Sequence, residues 1–128
     1  MFKGIEHFAI ASFDPHQLAT WYIERLECRP ILDTGKTVYV RSTNGVVLEF
    51  VFAERQLPMP LMRDMGLRHI AFLVDDLDGA CRELEQRGIS FVDATQAMSG
   101  LRLRFFRDPE GNFLHIVQRE VALPGDGL

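Results

Sequence analysis

The chain has 128 residues, enough for one domain, and its 47% hydrophobic content can supply a full core. Its 14 Lys and Arg against 18 Asp and Glu leave a formal net charge of −4, with the basic residues scattered, which excludes a nucleic-acid or anionic-membrane surface as partner. No apolar run approaches the ~20 residues needed to span a bilayer. Met1-Phe2-Lys3-Gly4 runs straight into a strand pattern, without a signal peptide, so a cytoplasmic protein is expected.

The first predicted element is a strand over Ile5–Ala11. Asp14-Pro15-His16-Gln17 then has the form of a helix start, with Asp14 as N-cap, Pro15 at the first helical position and Gln17 three residues after the cap. Leu18, Trp21, Tyr22, Arg25 and Leu26 follow at helical spacing, and Pro30 is read as the stop. Strands are predicted at Ile31–Asp33, Thr37–Arg41 and Val46–Phe52, the last two joined by a Ser42-Thr43-Asn44-Gly45 turn. Ala53–Met65, rich in Met and Pro, is a linker whose methionines pack on a partner surface or form a substrate lid. A strand at Leu67–Val74 and a helix capped near Asp75-Asp76 come next. Leu77, Cys81 and Leu84 share one face of that helix, and Gly88 is its C-cap glycine. Strands near Ser90–Val92, Gly100–Phe106 and Asn112–Val117 complete the set, with a turn at Asp108-Pro109-Glu110-Gly111; Val121–Leu128 is a loosely ordered tail. Cys28 and Cys81 occupy non-equivalent places and fit small buried residues of a reducing compartment.

These elements say one thing twice. Gly4-Ile5-Glu6-His7-Phe8-Ala9-Ile10 returns as Gly66-Leu67-Arg68-His69-Ile70-Ala71-Phe72, 62 positions on. Asn44–Val51 is echoed by Glu110–Val117, 66 positions on. The chain is thus an α+β protein of two tandem βαβββ modules, residues 4–52 and 66–118, joined by 53–65 and followed by 119–128. The two frames superimpose His7 on His69 and Glu49 on His115. Alternation along a strand sets each of the four between apolar neighbours on its own face, with an apolar face opposite, as in strands covered on both sides. Singly, each has a plain explanation: a hydrogen-bonded structural His, or a Glu exposed on an edge strand. Their coincidence at repeat-equivalent positions favours one divalent transition metal per site (Ni, Zn, Fe, Mn or Co) held by His7, Glu49, His69 and His115, because imidazole with carboxylate suits those ions better than Ca or Mg. His16, the fourth histidine, follows the helix cap and is read as solvent-exposed. Parity also sends Leu101, Leu103 and Phe105 inward with Phe113 and Val117, leaving Arg102 and Arg104 outward. Tyr39, the equivalent of Phe105, is the pocket's hydroxyl or plain packing.

From Gly4 to Gln118 the chain resembles the vicinal oxygen chelate superfamily, which includes glyoxalase I, extradiol dioxygenases and bleomycin-resistance proteins. The resemblance is strongest in Gly4–Ile10 with the Asp14 helix start and Trp21-Tyr22, in Gly66–Asp76, and in Phe105–Asn112. It implies curved mixed sheets and metal ligands from the first, fourth, fifth and eighth strands, which map onto His7, Glu49, His69 and His115. Where glyoxalase I and its relatives carry Glu at the last position, this chain has His115. A divalent ion with a single carboxylate ligand keeps a net charge near +1, which favours an anionic or ionisable substrate chelated through adjacent oxygens, and Glu49 is left as the evident base. The expected function is a glyoxalase-like lyase or isomerase moving a proton beside a carbonyl of a small substrate. The alternatives are an Fe(II)-dependent dioxygenase and a non-catalytic binding protein of the bleomycin-resistance type. The expected assembly is a homodimer with shared sites, each taking His7 and Glu49 from one chain and His69 and His115 from the other.

Overall fold

The computed structural model describes residues 1–125. It divides into two compact units, Met1–Pro58 and Met59–Leu128. In the first unit the elements are β1 (Phe8–Ser12), α1 (Pro15–Leu26), β2 (Arg29–Asp33), β3 (Val38–Arg41) and β4 (Val47–Phe52), and the sheet order is β1-β4-β3-β2. In the second they are β5 (His69–Leu73), α2 (Leu77–Gln86), β6 (Gln96–Met98), β7 (Leu101–Arg107) and β8 (Phe113–Arg119), in the order β5-β8-β7-β6. Each unit is therefore the expected βαβββ module, a mixed four-stranded sheet with one helix.

Both helices start as the sequence chemistry requires. Asp14 accepts from the Gln17 N–H at 3.1 Å and Asp76 from the Gly79 N–H at 3.1 Å, each satisfying a donor that the first turn leaves without a partner. Helix α1 lays Leu18, Ala19 and Tyr22 on Val38, Val40, Leu48 and Phe50, all buried, and the Tyr22 and Phe50 rings lie 5.0 Å apart. Helix α2 buries Leu77, Cys81 and Leu84 on the side of Phe106, Leu114 and Ile116. Burying each such side chain contributes roughly 1.5–3 kcal/mol, and this fixes which sheet face is left for a site. Both cysteines are free and buried.

The β3–β4 and β7–β8 turns are the same structure, 66 residues apart. Ser42 N–H donates to Val46 O and Asp108 N–H to Asn112 O. A Ser42 or Asp108 side-chain oxygen in turn accepts from the Val46 or Asn112 N–H. Gly111, at φ 94°, takes a conformation that other residues reach only with strain, and Met59 lies 3.4 Å from where its Cβ would stand. These turns set the register that pairs Tyr39 with Glu49 and Phe105 with His115.

Four expectations are corrected. Pro30 does not stop α1: the helix ends at Glu27, in the left-handed region at φ 60°, where the Cys28 N–H returns to Tyr22 O. Pro30 lies instead in β2, an edge strand that tolerates its missing N–H. Ser90–Val92 is no strand. Phe91 makes a single bridge to Phe106, after which Arg104 Nε donates to the Asp93 carbonyl at 2.8 Å, and pairing resumes only at Gln96–Met98. The first strand begins at Phe8, so His7 precedes it, because the ladder to β4 opens at the Phe8–Leu48 pair. Finally, β1 and β5 are sheet edges rather than strands covered on both faces, with Phe8, Ala9, His69 and Ala71 exposed. No helix among the described residues is long and apolar enough to cross a membrane. The predicted loose tail lies outside the described residues beyond 125; Val121–Gly125 form neither helix nor strand.

Candidate metal centre

The face of each sheet turned away from its helix carries one pair of donors. In the first unit Ala9 stands beside Glu49 across the parallel β1–β4 ladder. His7, two residues before Ala9, thereby reaches Glu49 diagonally, with Nε2 3.2 Å from Oε1. Glu49 is largely buried at 14% side-chain exposure and His7 half-buried at 32%. Nδ1 of His7 donates to Glu6 Oε1 at 3.0 Å. With that proton on Nδ1, the neutral ring turns the Nε2 lone pair toward a carboxylate oxygen. In that tautomer the Nε2 lone pair, 3.2 Å from Glu49 Oε1, is placed to share a metal ion with the carboxylate. The Tyr39 ring meets His7 edge-on at 5.9 Å. Its phenol is held above the ordinary tyrosine range, first by its hydrogen bond to Glu49 and then by partial desolvation and the Glu49 charge.

The second unit repeats the plan with a different pair. Ala71 stands beside His115 and His69 beside Phe113. The His69 and His115 rings lie 4.5 Å apart, and Phe105 touches both, at 5.5 and 4.8 Å between centroids. His115 is buried, at 7% exposure, and its Nδ1 has no hydrogen-bond partner among the described residues. Burial lowers its pKa to about 4, with smaller contributions from the charges of His69 and Arg119. A buried imidazole nitrogen without a partner is expensive, and a neutral ring is the form that ligates a metal. Leu103, Phe105 and Val117 form the wall around it, with Leu101, Phe113 and Met62 packed against them.

The structure thus brings the four predicted ligands together as two pairs, His7 with Glu49 and His69 with His115. Among the described residues no group of three or more metal-binding side chains forms. Each pair fits half of a transition-metal donor set, imidazole with carboxylate in one and two imidazoles in the other. Tyr39 is the register partner of Glu49, and Leu103, Phe105 and Phe113 lie in the apolar cluster on the second pair's face of the sheet. Two contributors are not evident from the strand pattern. Glu6 holds the far nitrogen of His7, a recurrent arrangement around a ligating His, and its adjacency in sequence is the one signal that points to it. Met62 belongs to the wall of its own unit, through a turn fastened by Asp64 Oδ2 accepting from the Leu61 N–H at 2.7 Å. His16 is exposed as expected but pairs with Asp33 at 3.0 Å, in a groove of about 420 Å³ between α1 and β2 that contains none of the ligands.

The sequence model of the Glyoxalase/Bleomycin resistance protein/Dioxygenase superfamily matches residues 4–116. The uncharacterized protein YwkD of Bacillus subtilis (strain 168) is 32% identical over 118 residues, covering 86% of this chain and 92% of that protein. A glyoxylase/bleomycin resistance protein/dioxygenase domain from Frankia sp. EAN1pec superimposes with a TM-score of 0.75 at 20% identity, covering 96% of each chain. A mutant of the fosfomycin resistance protein FosX from Listeria monocytogenes was solved with Mn(II) and 1S,2S-dihydroxypropylphosphonic acid. It superimposes with a TM-score of 0.71 at 14% identity, covering 96% of this chain and 94% of that one.

Proposed function

Since this chain belongs to the Glyoxalase/Bleomycin resistance protein/Dioxygenase superfamily, we propose that it is a metal-dependent, glyoxalase-like enzyme that moves a proton beside a carbonyl of a small substrate. The observation that carries the reading is the repeat-equivalent placing of the two donor pairs, one with His7 Nε2 3.2 Å from Glu49 Oε1 and the other with a buried nitrogen that has no partner among the described residues. His7, Glu49, His69 and His115 would hold one divalent transition metal, and that ion would supply Lewis acidity toward adjacent substrate oxygens. FosX, a protein of the same fold, was solved with Mn(II), which supports an ion of this class.

The remaining chemistry falls to the chain's own residues. Glu49 is the one carboxylate among the four, so it takes the proton from the substrate carbon. Tyr39, donating to Glu49, steadies the carboxylate and returns a hydrogen bond as its charge changes. Glu6 fixes the His7 tautomer through Nδ1. Phe105, Leu103 and Val117 keep water from His115, which strengthens charge interactions beside it. Complete sites form in a homodimer, with His7 and Glu49 of one chain meeting His69 and His115 of the other. A two-fold dimer is the commonest closed assembly, and it would unite two half-sets that each remain incomplete alone.

Calorimetric titration of demetallated, untagged protein with Ni(II), Zn(II), Mn(II) and Fe(II) tests the reading. One ion per chain is expected, lost in His7→Ala and in His69→Ala with the far-ultraviolet circular dichroism unchanged. Binding no tighter than millimolar to all four ions would leave a non-catalytic binding protein as the better account.

A further inference from the structure

Strand β7 carries Arg102, Arg104 and Arg107 and uses them differently. Arg102 bonds Asp78 at 2.8 Å, and Arg104 donates to the Asp93 carbonyl while stacking 4.3 Å over Phe91. Both belong to the helix-side face by alternation. Arg107 shares the other parity with Leu101, Leu103 and Phe105, and so stands on the face that holds His69 and His115. It is exposed, lies with its guanidinium 4.5 Å over the Phe113 ring, and makes no ion pair among the described residues.

The repeat shows that this cation has been released from a structural task. Its counterpart in the first module is Arg41, also the last residue of its strand, and there Nη1 donates to the Gly45 carbonyl at 3.0 Å across the turn. In the second module Asp108 closes the turn with its own carboxylate, accepting from the Glu110 and Asn112 N–H groups and from Asn112 Nδ2. The turn has no need of Arg107. Register then sets Arg107, Phe113 and His69 in one row across β7, β8 and β5, with Phe105, His115 and Ala71 in a neighbouring row of the same face. Adjacent strands are ~4.8 Å apart and successive residues ~3.4 Å apart along a strand, so Arg107 stands about 8–10 Å, backbone to backbone, from both histidines.

We propose that Arg107 is the anion-recognition residue of this face: the substrate carries a carboxylate, phosphonate or phosphate a few bonds beyond the group held at the histidines, and it lies along the Phe113–Phe105 wall. An Arg fork matches such oxyanions in geometry, and stacking on Phe113 holds the fork in place before the ligand arrives. The inference rests on the reading that this face receives the substrate, but its test needs no metal.

Phenylacetate and its neutral isostere 2-phenylacetamide are titrated into demetallated, full-length protein and followed by amide NMR shifts of residues 105–115. Phenylacetate should bind about 5- to 20-fold tighter than the amide, as expected of one charge-assisted fork that is partly exposed to solvent. Added salt should shrink the difference. Arg107→Met and Arg107→Gln should abolish the preference while leaving the amide's affinity unchanged, and Arg41→Met should retain it. Equal binding of the two compounds to the native protein, binding of neither, or a preference that survives in Arg107→Met would overturn the proposal. Because no ion is present, a failure of metal binding and a failure of anion recognition are separate results.

Discussion

His115→Leu should stabilise the metal-free protein and destroy its response to metal. The native imidazole keeps Nδ1 buried with no partner among the described residues, a cost of about 1–2 kcal/mol for a neutral group. Leucine removes that atom and adds apolar contact with Phe105. A second contribution depends on pH. The folded pKa of His115 is lowered to about 4 from 6.5, so between these values the unfolded chain binds a proton that the folded chain refuses. Stability from this residue is therefore fully present above about pH 6.5, declines as pH falls, and is lost below about pH 4. With these two values the native protein loses about 2 kcal/mol through His115 between pH 7.5 and pH 5, and about 3 kcal/mol in all. Other groups titrate in both proteins and largely cancel in the difference. Urea denaturation of demetallated protein should accordingly place His115→Leu about 1–2 kcal/mol above native at pH 7.5, widening by about 2 kcal/mol at pH 5. Ni(II) at about a hundred times its Kd should then raise the native protein by about 2.7 kcal/mol and the variant far less. If His115→Leu is less stable than native at pH 7.5 without metal, or if the gap does not widen toward acid, His115 is a structural residue and the ligand reading fails.

Three further outcomes follow from the same geometry. Glu49→Gln should retain much of the metal affinity, since an amide oxygen still ligates, yet abolish deuterium exchange at a substrate carbon beside a carbonyl; normal turnover would remove Glu49 as the base. The same substitution takes away the charge that holds the Tyr39 phenol high, so its ultraviolet titration should move to lower pH, and an unmoved curve would deny the Tyr39–Glu49 hydrogen bond. His7→Ala and His69→Ala proteins, unfolded and refolded together in equal amounts, should recover about a quarter of native metal binding if sites are shared between chains, because half the dimers are mixed and each holds one intact site; no recovery would refute the shared-site dimer.

How much of this is legible in the sequence depends on which interactions are local. The helix starts are legible because a cap is written within four residues, and Asp14 and Asp76 do what Asp does before a first turn. The two donor pairs are legible only through the repeat: offsets of 62 and 66 fall on the register partners Ala9–Glu49 and Ala71–His115, so one frame predicts the other. The failures come from places where a distant group decides. Pro30 has the look of a helix stop, yet Glu27 ends the helix with a left-handed turn, and Pro30 is accepted by a strand edge that only the finished sheet creates. Ser90–Val92 has strand composition, but Arg104 captures the Asp93 carbonyl and breaks the ladder.

Asymmetry between the modules is the least legible feature, and it bears most on function. The repeat makes Glu49 and His115 equivalent and Arg41 and Arg107 equivalent, while their surroundings make them opposites. Glu49 sits beside a hydrogen-bonding phenol, whereas His115 is sealed by Phe105, Leu103 and Val117 with Met62 packed against them. Arg41 is tied to its turn and Arg107 lies over Phe113 on the face that carries His69 and His115. A duplicated module supplies matched scaffolding, and divergence at these few positions leaves one half with a carboxylate beside a phenol and the other half with an apolar wall and a cation at its edge. On this reading the first module carries the acid–base chemistry and the second carries substrate selection. Substitutions at Tyr39 and Glu49 should therefore act mainly on kcat, and substitutions at Phe113 and Arg107 mainly on KM; steady-state kinetics on one substrate, with kcat lost in Arg107→Met and KM unmoved, would reverse that division.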